Sequence, residues 1–384
     1  MLRKILIAFA SIVLILIVAA TFLYFKILRP GIRAAEARSI DDQKILQPRL
    51  VKGAGKFEKR TFYEGEGLGN ISQIHIGWPA DREGADIAVV GSQGADFIDL
   101  AGHKKKQVRF AIAERCPVVV ARTSPTGELG YLTRDESWAV PATLFDKEGH
   151  LAWRFGGTWP GVDDSAPADF NGDGKLSVLI GFNGAGGLVR LDGQGQSVWK
   201  KEENNVWHVE TLDTNGDGRA EILHSNARGQ LLVRDSDGNV ITQYLPNSYV
   251  SKFALTRWAE ETQPTHILVP TGERREGCCH LVIFVLDSGG KSVAKLGAPL
   301  SDLLNDAAGI PVQFRKGPRY FAVLINSLAK DRSVLFLYDD GQLVYQEIIG
   351  ESCSGLATLP GNGPLLVGCA SRILAYSETT ASRN

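Results

Sequence analysis

The stretch DFNGDGKLSVLIG, Asp169 to Gly181, has a second version, DTNGDGRAEILH, from Asp213 to His224, beginning 44 residues later. Oxygen atoms at alternate positions of a tight turn converge on a hard cation such as Ca²⁺. The second copy offers Asp213, Asn215, Asp217, the carbonyl of Arg219 and the carboxylate of Glu221. The first offers Asp169, Asn171, Asp173 and the carbonyl of Lys175, with Ser177, a poorer ligand, at the ninth position. Position twelve is Ile180 or His224, where a helix-flanked calcium loop needs a bidentate glutamate. Each loop leads into a short strand-like run, Ser177 to Gly181 or Glu221 to His224. Asp, Asn and Gly also build plain turns, but repetition in register favours the cation reading. The 44-residue interval is the length of one β-propeller blade.

The rest of the chain repeats at that scale. An apolar run meets an Asp or Gly turn and then a second apolar run at Asp99, Asp146, Asp192, Asp235, Asp287 and Asp339, at intervals of 47, 46, 43, 52 and 52 residues. A seventh unit begins near Ser354 and supplies only three strands, ending in Arg372 to Tyr376. Its missing outer strand is expected from Lys56 to Tyr63, which has no partner of its own. The ends would then join and close the ring. The expected fold is all-β, a seven-bladed propeller, with six and eight as the neighbouring counts.

Nine-residue windows aligned on the second strand run Asp169 to Ser177, Asp213 to Glu221, Trp78 to Asp86 and Trp258 to His266. Tryptophan donates no oxygen, so Trp78 and Trp258 are expected to plug the same position with apolar bulk. In blades six and seven the turn shortens to Lys316–Arg319 and Pro360–Gly363. One or two Ca²⁺ ions are therefore expected, in blades three and four only.

Residues 56–378 thus resemble the FG-GAP or VCBS family of calcium-binding propeller repeats, found in integrin α-chain heads and bacterial surface proteins. The specific part is the pair of DxNGDG loops with their strands and Gly181; the Phe-Gly pair that names the family does not precede either loop. The resemblance implies a repeat scaffold whose calcium ions fasten loops within blades, and it implies no particular partner. A second likeness lies in DxxGxxxW, at Asp146 to Trp153 and Asp192 to Trp199. It is similar to the tryptophan-docking repeat of quinone-dependent dehydrogenases and outer-membrane assembly scaffolds, and it gives way later to Tyr244, Ala294 and Tyr345. Simple packing of Trp153 and Trp199 between blades is the preferred reading.

Composition suits a globular propeller: 44% hydrophobic, with 42 glycines for turns. Residues 1–4 precede an uncharged run, Ile5 to Phe25, of 21 residues, long enough to cross a hydrocarbon core of about 30 Å. Arg3 and Lys4 with a small-residue site at Val18 to Ala20 also fit a signal peptide. The run continues through Phe22, Leu23 and Phe25, so an uncleaved single-pass anchor is favoured. Residues 26–55 form a linker; from Lys26 to Arg60 there are ten basic against four acidic residues. Residues 379–384 form a short tail. Basic residues on both flanks leave orientation open to the positive-inside rule. Calcium loops of the weaker extracellular type place the propeller outside the cytoplasm, with a bacterial inner membrane and periplasm as the expected setting.

Cys353 and Cys369 flank the first two strands of the last blade, where antiparallel pairing could join them in a disulfide; Cys116, Cys278 and Cys279 read as buried or loop thiols. Lys plus Arg at 42 balance Asp plus Glu at 43, which argues against nucleic acid. Nucleophile-elbow, zincin and phosphate-loop motifs are absent from the sequence. The seven histidines are scattered, and His208, beside Trp207, sits where an inner strand could face the central channel. Two functional classes remain: an anchored scaffold for a protein or glycan partner, and an enzyme, either quinone-dependent or acting on polysaccharide.

Overall fold

In the computed structural model of the protein, described for residues 2–33, 53, 55–77, 84–111, 116–121, 129–134, 140–156, 160–258, 265–273, 280–298, 306–315, 317–327 and 332–379, seven four-stranded antiparallel sheets form the blades of a propeller. Blade 1 spans residues 71–109, blade 2 118–155, blade 3 162–201, blade 4 206–244, blade 5 254–298 and blade 6 306–349. Blade 7 takes three strands from residues 353–378 and its outer strand, Phe57–Glu64, from the start of the chain. That strand pairs with Arg372–Glu378 from Phe57↔Glu378 to Glu64↔Arg372. The expected join of the two ends is therefore present, and no blade is left with three strands. Trp78, Lys316, Cys278, Cys279, linker residues 34–52 and 54, and tail residues 380–384 lie outside the described residues.

Strand sequences follow from position in the blade. Middle strands are covered on both faces and read as continuous apolar runs, as in Ile87–Gly91 and Leu365–Cys369, buried throughout. Outer strands such as Leu151–Phe155 and Ser197–Lys201 are mostly exposed and mix apolar with basic residues. Seven apolar clusters lie at the blade interfaces, so each blade buries its faces on its neighbours.

The recurring aspartate has a local cause. At Asp99, Asp146, Asp192 and Asp235 the carboxylate Oδ1 accepts hydrogen bonds from the backbone N–H groups two and four residues on, at 2.8–3.0 Å. The chain is thereby turned from the third strand into the fourth. In the Asp192 and Asp235 turns, Gly195 and Gly238 then lie against an aromatic ring from the preceding blade. Trp153 Nε1 donates to Gly193 O at 3.1 Å, and Trp199 Nε1 to Ser236 O at 3.0 Å. Both tryptophans thus pack between blades, as read from sequence. The pattern continues further than the motif indicated, because Tyr244 Oη donates to Ser288 O at 2.6 Å from a position two residues later in its strand.

At the N-terminus a helix, Leu2–Leu23, continues through one π-helical turn, Tyr24–Leu28, and stays helical to residue 33. The segment Ser11–Arg33 is long and apolar enough to cross a membrane, and its described side chains are almost all exposed. Phe57 enters blade 7 at the end where Glu378 leaves it. Phe57 therefore enters on the face carrying the third-to-fourth-strand turns.

Candidate functional site

Both DxNGDG loops join the first and second strands of their blades, Val162–Ala168 to Ser177–Phe182 and Val206–Leu212 to Glu221–Asn226. The loops are flanked by strands, as expected, and they touch: Ala220 N donates to Asp169 O at 3.3 Å. Gly172, Gly174, Gly216 and Gly218 all adopt φ between +69° and +84°, which explains the glycines at those positions.

The two loops differ in what their oxygens do. In the first, Asp169 accepts from the backbone N–H groups of Asn171, Asp173 and Gly174 at 3.3, 3.2 and 2.7 Å. Asp173 accepts from Lys175 N at 3.0 Å and holds the Lys175 ammonium at 3.2 Å, while Asn171 Oδ1 lies 3.5 Å from Arg190 Nη2. In the second, Asp213 accepts from Gly216 N and Gly218 N at 2.6 and 2.8 Å, and Asp217 from Arg219 N at 2.8 Å. Asn215 Nδ2 donates to Asp217 Oδ2 at 3.2 Å and Glu221 Oε1 at 3.3 Å. Glu221 is buried and also accepts from Thr214 N at 2.8 Å and Thr214 Oγ1 at 2.6 Å. Asn215, Asp217 and Glu221 thus converge in the second loop, whereas the first turns Asp173 toward a cation of the protein. Among the described residues no three His, Cys, Asp or Glu side chains are grouped to hold a metal by themselves. An ion in the second loop would draw on the Asn215 amide and the Arg219 carbonyl as well.

Trp258 follows the inner strand Ala254–Thr256 and packs on Phe321 of blade six, ring centroids 4.7 Å apart.

A second group of charges lies in the central channel. Arg134 donates to Asp164 Oδ1 and Oδ2, each at 2.8 Å, to Glu210 Oε1 at 2.6 Å and to Val209 O at 2.7 Å. Asp164, 3% exposed, also accepts from Ser165 N and Val209 N at 2.8 and 3.0 Å. Burial alone would raise the Asp164 carboxyl, but the charges of Arg134 and His208 outweigh it and hold the group well below the usual carboxylate range. His208 Nδ1 lies 2.6 Å from Asp164 Oδ2, an ion-pair contact without hydrogen-bond alignment, and its ring meets Phe253 edge-on with centroids 4.6 Å apart. His208 therefore faces the channel, in company that its place in the sequence did not indicate. Arg134 comes from blade two, Asp164 from blade three and Glu210 from blade four, so spacing along the chain gave no sign of the group. One signal was available: Asp163 and Asp164 stand together inside a strand that is otherwise apolar and small, and buried carboxylates are rarely unpaired.

Cys353 and Cys369 form a disulfide between the first two strands of blade seven, where they are register partners. Cys116 is buried.

No protein-family model matches the chain, and no curated protein matches it. Architecture defines its class: a seven-bladed β-propeller preceded by one apolar helix long enough to cross a membrane.

Proposed function

We propose that the protein is a membrane-anchored binding or assembly scaffold that holds its propeller outside the cytoplasm, in a bacterial periplasm, for a protein or glycan partner. The observation carrying this reading is the mutual commitment of the channel charges. Arg134 commits its donors to Asp164, Glu210 and a backbone carbonyl, tying blades two, three and four together. Such a network stiffens a platform. The Cys353–Cys369 disulfide supports an oxidising compartment. Ca²⁺ in the second loop, with Asp213, Asn215, Asp217, Arg219 and Glu221 as ligands, would fasten blade four to blade three. A second ion on Asp169, Asn171, Asp173 and Lys175 would have to displace the Lys175 ammonium.

Crosslinking in intact membranes, followed by mass spectrometry of copurifying material, tests the scaffold reading. A reproducible protein or glycan attached to propeller residues is the expected result. Quinone-linked dehydrogenase activity after reconstitution with cofactor and Ca²⁺, or turnover of a polysaccharide, would replace it with the enzyme reading.

A further inference from the structure

The outer strands of blades one, two and three, Lys104–Arg109, Leu151–Phe155 and Ser197–Lys201, carry seven basic residues and no acidic one. The other four outer strands, Val240–Tyr244, Ser292–Ala298, Gln342–Ile349 and Phe57–Glu64, carry three of each. Positive charge on the rim is therefore gathered on one wall of a chain whose net charge is -1.

Part of that charge is already engaged. Lys105 Nζ lies 2.9 Å from Asp99 Oδ2, Arg109 Nη1 lies 2.7 Å from Asp96 Oδ1, and Lys201 Nζ donates to Asn239 Oδ1 at 3.2 Å. Lys106, Arg154 and Lys200 are exposed and make no hydrogen bond or ion pair with any described residue. Leu151 and Val198 stand on the same wall, 50% and 53% exposed. Long basic side chains interleaved with half-exposed aliphatic ones suit the boundary between water and lipid headgroups.

We propose, on the reading of the N-terminal helix as a membrane anchor, that this wall lies against a bilayer surface of anionic lipid, with the propeller standing edge-on. Two observations select that occupant. The strand through which the chain enters the propeller, Phe57–Glu64, packs beside blade one and bonds to it from Tyr63 to Asp96, so the basic wall adjoins the point of entry. The turn face carries Asp99, Asp146, Asp192, Asp235, Asp287 and Asp339, so charge directs the wall, and not that face, toward anionic headgroups. A second copy of the same wall would set like charges against one another. Each basic residue near an anionic surface favours contact about fivefold, so Lys106, Arg154 and Lys200 together favour it about a hundredfold.

Hydrogen–deuterium exchange of the full chain in nanodiscs of phosphatidylcholine, alone or mixed with phosphatidylglycerol, tests the proposal. Exchange slowed about tenfold at residues 104–109, 151–155 and 197–201 is expected in the anionic discs alone and is lost at high salt, while residues 292–298 and 342–349 behave alike in both lipids. The triple variant Lys106→Gln/Arg154→Gln/Lys200→Gln, altered only at exposed positions, is expected to co-elute with the discs and to lose the protection. Failure of the unmodified chain to co-elute with discs removes the anchor and the docked wall together. Co-elution with equal exchange of the three strands in both lipids, or protection unmoved by the triple variant, overturns the docked wall and leaves the anchor standing. Slowing by soluble heparin in phosphatidylcholine discs, with none from phosphatidylglycerol, overturns it in favour of an anionic glycan.

Discussion

Tyr63 Oη donates to Asp96 Oδ2 at 2.7 Å, joining the strand that begins the propeller, placed in its last blade, to the third strand of its first. Asp96 is fully buried and takes a second hydrogen bond from Arg109 Nη1 at 2.7 Å. Ring closure therefore has two parts: the ladder to Arg372–Glu378 within blade seven, and this charged clasp across to blade one. Tyr63→Phe should cost about 1.5–3 kcal/mol, the usual value for a hydrogen bond to a charged group. Asp96→Ala, which strands a partly buried guanidinium, should cost about 3 kcal/mol or more. Urea unfolding of both variants is the check, and equal, negligible losses would show that the ladder alone closes the ring.

The aromatic contacts between blades can be isolated with glycine substitutions. Gly195 has φ +78°, and a Cβ there would lie 2.8 Å from Trp153 Cγ; Gly341 has φ +74° and open space around it. Both Gly195→Ala and Gly341→Ala incur the strain of the left-handed conformation, about 1–2 kcal/mol. Only Gly195→Ala also pushes against the indole, adding about 1–3 kcal/mol. Thermal melts of the pair should separate accordingly. Identical melting temperatures would mean that the ring is not docked.

Blade number and the borrowed outer strand were legible in sequence because each rests on a local pattern with a fixed physical cause, whereas the Cys353–Cys369 bond was open, since strand proximity permits a disulfide without requiring one. Aspartate heads a turn, glycine takes positive φ, and an orphan strand needs a partner. Side-chain chemistry between blades was less legible. Tyr244 occupies a different strand position from Trp153 and Trp199 yet makes the equivalent bond, because ring reach, not motif spacing, decides the contact. Arg134, Asp164, His208 and Glu210 meet through curvature of the whole ring, and a period-two strand pattern carries no record of it.

Removal of the disulfide measures how far the last blade depends on it. Cys353 and Cys369 are 16 residues apart, and closing a loop of that size constrains the unfolded chain by about 3 kcal/mol. The double variant Cys353→Ala/Cys369→Ala should lower stability by about 2–4 kcal/mol in urea titrations. An unchanged midpoint would mean that the pair is reduced in the purified protein.

Calcium dependence should divide unequally between the two loops. Asp217 converges with Asn215 and Glu221, whereas Asp173 already holds Lys175 and has Ser177 at the ninth position. At millimolar Ca²⁺ the melting temperature should rise over that in chelator. Asp217→Ala should remove most of that rise, and Asp173→Ala little of it. Equal losses would show that Glu221 and the lysine contact do not set the affinity, and no rise in the unmodified chain would remove calcium from the account.

Acid sensitivity should trace in large part to His224, on the second strand of blade four. Its Nε2 accepts from Arg234 Nε at 2.8 Å, and Arg234 also donates to Glu203 Oε2 at 2.6 Å. Burial first, and the Arg234 charge second, lower the imidazole to about 3 from an ordinary 6.5. The folded state therefore keeps His224 neutral where the unfolded chain takes up a proton. Its contribution is complete above pH 6.5 and is lost as pH falls toward 3, at up to about 1.4 kcal/mol per pH unit. His75, lowered to about 4 by burial, adds a smaller loss of the same sign. His224→Gln keeps an acceptor for Arg234 and removes the titration, so its stability should vary less with pH across this window even if it is less stable at neutral pH. An unaltered slope in urea titrations between pH 6.5 and 4 would place the acid-sensitive group elsewhere.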